Sequence, residues 1–133
     1  PQPYIEHEIL KTITAFANTE GGTLIIGVND DGEILGLEND FNSFKSNHRD
    51  KFLKHFANII GTGFTEPIDA ILKYGLENSR TTEVFVVLVE KSIKPRFVKT
   101  KNGEKEFYIR RSATSQKLDV EEAIKYCFDK WNE

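Results

Sequence analysis

Asp30 and Asp31 stand side by side in the stretch Val28-Asn29-Asp30-Asp31-Gly32, directly after an apolar run. Two hard carboxylates there could hold Mg²⁺ or Mn²⁺ and activate water at a phosphodiester. Such a site needs more ligands, and Glu20 and Glu33 are the other acids of that block; the alternative is a polar hairpin turn of the kind that Asp and Gly build. The second chemistry-bearing cluster is cationic. Nine Lys or Arg lie between Lys91 and Lys117 against two Glu, so this segment carries +7 and the rest of the 133-residue chain −10. Screening confines fields to about 8 Å at physiological salt, so local charge governs phosphate contact more than the total does. The strip reads either as a footprint for a polyanion or as a solvated hairpin. Within it, Lys99, Lys101, Arg110 and Arg111 could contact phosphates, and Tyr108 could stack a base. Ser112, Thr114 and Ser115 could donate hydroxyl hydrogen bonds from a loop. Strand alternation puts Tyr108 and Arg110 on one face and Phe107 and Ile109 on the other. The competing arrangement packs Tyr108 under the last helix and pairs its Arg neighbours with Glu.

Other chemistries find less support. His7-Glu8 starts like the zinc motif HExxH, but Lys11 stands where the second His belongs. His48 and His55 sit among polar neighbours on a helix, and three dispersed His with the single Cys127 make no zinc set. Gly21, Gly22 and Gly27 flank a strand, yet no GxxxxGK[ST] follows and the order is helix, turn, strand, which disfavours a P-loop. No Ser-His-Asp arrangement is apparent. A lone cysteine forms no internal disulfide and fits a reducing compartment. No run approaches the ~18 apolar residues of a membrane span and no charged-then-apolar leader opens the chain, so a cytoplasmic protein without membrane contact is expected.

The elements that must position these residues follow from periodicity. Ile5, Ile9, Ile13, Phe16 and Ala17 recur at helical spacing. Asn18, Thr19, Gly21 and Gly22 then form a turn that shapes the site, since Asn and Gly tolerate positive φ at helix ends. Thr23 to Val28 reads as a strand buried on both faces, with Glu33 to Leu37 returning after the turn. Phe44 to Ile60 reads as a second helix with Phe52, Phe56, Ile59 and Ile60 on one face. Ile68 to Glu77 alternates as a strand, and Glu83 to Glu90 is apolar enough for a central strand covered on both faces. Arg96 to Lys101 and Glu104 to Arg110 flank Asn102-Gly103, a two-residue hairpin turn. Asp119 with Glu122 forms a capping box, opening a helix that turns Val120, Ala123, Ile124, Cys127, Phe128 and Trp131 toward the sheet. Length and order give a single domain over residues 1–133, α/β of the α+β type: a mixed, mostly antiparallel sheet with about three helices packed against it.

The first helix followed by AFANTEGGTLIIGVNDDGEILGL, with FYIRRSATS later, resembles the Schlafen AlbA_2 domain family, an Alba-like DNA-binding group, over about Ile5 to Ser115. The resemblance implies an α/β domain that binds nucleic acid, found in bacterial regulators and in the nuclease core of Schlafen proteins. In some relatives it implies a metal-dependent ribonuclease built on clustered carboxylates. Asp30 matches the family's third acidic position, in the GVxD turn, as a catalytic and metal-binding carboxylate. The other two belong to an ExxxxExK strand ahead of the first helix, which the resemblance would place before Pro1. Ser112 stands where the family often has Gly, a departure from a tight backbone approach to phosphate. The expectation is a nucleic-acid-binding domain of a bacterial-type regulator or defence protein, requiring no cofactor, with Mg²⁺ or Mn²⁺ entering only in the nuclease alternative. A non-catalytic interaction or dimerisation module is the other alternative. The expected partners are DNA or RNA, a second copy in a homodimer, and further domains of a longer parent protein.

Overall fold

A computed structural model describes residues 3–28, 48–78 and 83–132. The elements run α1 (Pro3–Ala17), β1 (Gly22–Val28), α2 (His48–Thr62), a 3₁₀ turn (Asp69–Ile71), β2 (Leu72–Asn78), β3 (Glu83–Val89), β4 (Val98–Lys99), β5 (Lys105–Arg111), β6 (Thr114–Leu118) and α3 (Val120–Trp131). The strands divide into two antiparallel three-stranded sheets, ordered β1-β3-β2 and β4-β5-β6. The described residues therefore form the expected α/β unit with three helices, their strands split between two sheets.

The core lies where α1 meets both sheets. Ile5, Ile9 and Ile13 of α1 and Phe52 and Phe56 of α2 are buried with Ile26, Phe85, Val87 and Leu72 on one face of the first sheet. Phe85 is the centre, edge to face with Phe52 at 4.8 Å and with Phe56 at 4.6 Å between ring centroids. Such pairs add about 1 kcal/mol beyond the area they bury. On the second sheet, Tyr108 joins this core while Phe107, Ile109 and Leu118 form a separate cluster with Ala123, Tyr126, Cys127 and Trp131 of α3. β5 is thus covered by α1 on one face and α3 on the other.

Several expectations change in this arrangement. Ile25 is 57% exposed and Leu88 47%, so the described residues cover β1 and β3 on one face, because α1 and α2 share that face and α3 goes to the second sheet. The strand over residues 96–101 shortens to Val98–Lys99, and Ile68 precedes a 3₁₀ turn in place of starting β2. The β4-β5 turn closes from the Gly103 N–H to the Thr100 carbonyl, with Gly103 at φ +85°, so it centres on Lys101-Asn102. Thr114 and Ser115, read as loop, begin the strand Thr114–Leu118, which is paired along β5. The capping box is complete: the Asp119 carboxylate accepts from the Glu122 N–H at 2.8 Å and the Glu122 carboxylate from the Asp119 N–H at 3.0 Å. No helix among the described residues is long and apolar enough to cross a membrane.

Candidate nucleic-acid interface

The turn after α1 joins the two sheets. Asn18 is fully buried, and its amide donates to the Arg96 and Tyr108 carbonyls at 2.9 Å each while its oxygen accepts from the Arg96 N–H at 2.8 Å. Its own carbonyl accepts the Tyr126 hydroxyl at 2.6 Å. A buried amide bonded this fully is an architectural clamp, tying α1, β5, α3 and the Arg96 segment together. Gly21 follows at φ +78°, where an added Cβ would lie 2.6 Å from the Val89 carbonyl oxygen. At Gly22 a Cβ would strike the Phe16 ring at 2.8 Å. The turn residues Asn18, Gly21 and Gly22 therefore set the packing at this end of the sheet, and Thr19 meets β5 directly: its hydroxyl oxygen accepts the Arg110 N–H at 2.9 Å.

Arg110, Arg111 and the hydroxyl residues gather at the β5-β6 hairpin. The Arg110 guanidinium donates to Ser115 Oγ at 2.8 Å and lies 5.0 Å from the centre of the Phe16 ring. A cation over an aromatic face gains about 1 kcal/mol and keeps its remaining N–H groups free to donate. Arg111, Ser112 and Thr114 are exposed. Ser112 adopts φ +53°, the left-handed backbone for which glycine is the easier residue. Thr114 donates to the Arg111 carbonyl at 2.9 Å, closing the turn. One end of the sheet thus presents one guanidinium held in place and one exposed guanidinium with no carboxylate partner among the described residues.

Lys99 and Lys101 lie at the other end. Lys99 is in register with Lys105, six residues before Arg111 on β5, so the two cationic ends are about 20 Å apart at the usual strand rise. Both lysines line a cleft of about 690 Å³ that is also lined by Glu6, His7, Glu106, Leu10 and Ile59.

Tyr108 departs from its expected role. It is only 5% exposed, and its hydroxyl donates to Glu106 at 2.9 Å. The alternation does put Tyr108 on the face of Arg110, but that face is pressed against α1, so the ring is core and no platform for a base. It packs under α1, not under the last helix. Burial, with the hydrogen bond to Glu106 and that carboxylate's charge, pushes the Tyr108 phenol well above its ordinary value. Burial works to raise the Glu106 carboxyl, but hydrogen bonds from Tyr108 and Lys117 and the charges of Lys117 and His7 together hold it below its ordinary value.

His7 and His55 are engaged separately: His7 pairs with Glu106 at 3.6 Å and His55 with Glu6 at 2.9 Å. Among the described residues no three His, Cys, Asp or Glu side chains converge as a metal site. Asp30, its neighbour Asp31, Glu33 and the returning strand to Leu37 lie outside the described residues.

Ion pairing sorts the basic strip. Lys91 pairs with Glu20, Lys94 with Glu66 and Lys117 with Glu106. Arg96 is spent internally, donating to Ser92 Oγ and to the Pro67 carbonyl. Among the described residues no carboxylate pairs with Lys99, Lys101, Lys105, Arg110 or Arg111. One contact escapes sequence reasoning: Phe16 reads as a core residue of α1, and only the fold brings it under Arg110.

An α/β domain whose helix-end turn supports a hairpin bearing unpaired arginines is the class that fold and site define. The model of the family Schlafen, AlbA_2 matches residues 2–119, and the chain belongs to that family. Membership points to a nucleic-acid-binding or related domain. Comparison with curated proteins and with solved structures gave no match.

Proposed function

We propose that this domain binds nucleic acid through its phosphate backbone, using Arg110, Arg111, Ser112, Thr114 and Ser115 at one end of the β4-β5-β6 sheet and Lys99 and Lys101 at the other. The observation that carries this reading is the ion-pair pattern: the cations at the two hairpin ends lack carboxylate partners among the described residues, while Lys91, Lys94 and Lys117 between and around them are neutralised. Unpaired guanidinium groups keep their N–H donors available for phosphate oxygens, and Arg presents them in a fork that fits two oxygens at once. The roughly 20 Å between the ends suits several successive phosphates more than a single nucleotide. No cofactor enters the binding step, and on this reading the domain serves a cytoplasmic regulator or defence protein.

The test compares affinities for labelled single- and double-stranded DNA and RNA at low salt. Arg110→Ala with Arg111→Ala should lower affinity at least tenfold, and Lys99→Ala with Lys101→Ala should lower it less. Lys91→Ala with Lys94→Ala, which removes charges already paired, should leave it nearly unchanged. Equal losses across the three variants, or no binding by the wild-type domain at low salt, would refute the proposal.

A further inference from the structure

α3 carries more apolar surface than its own domain covers. Ala123, Tyr126, Cys127 and Trp131 pack against β5 and β6, yet Val120, Ile124 and Phe128, four residues apart, are 78, 66 and 63% exposed. They form a continuous ridge along the helix, beside an open, almost wholly apolar groove of about 610 Å³ between α3 and Phe97. Single exposed apolar residues are ordinary, but an uninterrupted ridge of three large ones on a well-capped helix marks a contact surface.

We propose that this ridge pairs two copies of the domain, with their α3 helices antiparallel about a two-fold axis passing Ile124. The flanking charges select this occupant and this orientation. At 100° and 1.5 Å per residue, Glu121 and Lys125 both fall on one side of the ridge, at about 60° and 100° from Ile124. A two-fold axis perpendicular to the helices keeps that side and reverses the direction. Glu121 of one copy then comes within about 3 Å, along the axis, of the level of Lys125 in the other, giving two symmetric ion pairs. Lys125 and Asp129, paired at 3.6 Å within the helix, are both exposed, so this internal contact yields readily. The same operation sets Phe128 opposite Val120, large against small. A parallel pairing would instead set Glu121 and Lys125 against Ala123 and Cys127 of the other copy. The exposed parts of Val120, Ile124 and Phe128 from each copy bury less than the ~1,000 Å² typical of specific interfaces, so the dimer is weak.

Sedimentation velocity of the chain without nucleic acid, from about 1 to about 300 µM, tests this directly. A monomer–dimer equilibrium is expected, which Ile124→Lys abolishes without loss of helical circular dichroism, since the side chain is exposed. Glu121→Lys and Lys125→Glu alone each raise the dissociation constant about tenfold by facing like charges. The double variant restores it to within about threefold. In a Cys127→Ser background, Ile124→Cys on the axis should give a disulfide-linked dimer on mild oxidation. A monomer at every concentration, or a double variant as weak as the single ones, overturns the proposal.

Discussion

At the scale of single residues, Asn18 and Tyr108 turn out to hold the frame on which the arginines are displayed. Asn18→Ala strands the Arg96 N–H and two carbonyls in a buried place, and a loss of about 3 kcal/mol is expected in urea or thermal unfolding. Tyr108→Phe should cost about 1 kcal/mol through its bond to Glu106, yet leave nucleic-acid affinity unchanged, because the ring is not at the surface. The same residue sets an alkaline limit. Its phenol is raised in the fold, so the stability it contributes is intact below the ordinary tyrosine value near 10 and is lost as pH rises from there toward the folded value. Glu106 acts in the opposite direction: its lowered carboxyl contributes above the ordinary carboxylate range and loses that contribution as pH falls below about 4. Unfolding measured from pH 7 to 11.5 should show a decline beginning near pH 10 that Tyr108→Phe reduces.

At the scale of elements, Gly21 fixes how α1 hands the chain to β1. Gly21→Ala meets both the left-handed backbone and the Val89 carbonyl, and a loss of more than 2 kcal/mol is expected, with Gly103→Ala milder because its Cβ position is open. The helices were legible from spacing: Ile5, Ile9 and Ile13, then Phe52, Phe56, Ile59 and Ile60, are among the buried positions of α1 and α2. The α3 capping box was equally plain in Asp119 and Glu122. The division into two sheets was not, because alternation tells which residues share a face but not which element covers it. Ile25 and Leu88 were therefore assigned to a covered face they do not have, and Val120, Ile124 and Phe128 to a packed one. β6 escaped notice because TSQKL is short and mostly polar, held by its pairing with β5 and by Leu118 alone in the buried cluster.

For the whole molecule, a net charge of −3 hides an uneven distribution: the domain is acidic, while the cations of the basic strip that lack carboxylate partners among the described residues lie at the two ends of one small sheet. That much of the proposed site can be picked out in the sequence, since Lys99, Lys101, Arg110 and Arg111 stand out by type and local density. Which of nine cations are neutralised was not, because their partners Glu20, Glu66 and Glu106 come from three distant parts of the chain. The most direct test is the salt dependence of binding to a single-stranded oligonucleotide between about 50 and about 200 mM salt. Four phosphate contacts predict a log–log slope of about −3, falling to about −1.5 in Arg110→Ala with Arg111→Ala. A flat dependence, or a slope that these substitutions leave unchanged, would contradict the central claim that the unpaired hairpin cations bind the phosphate backbone.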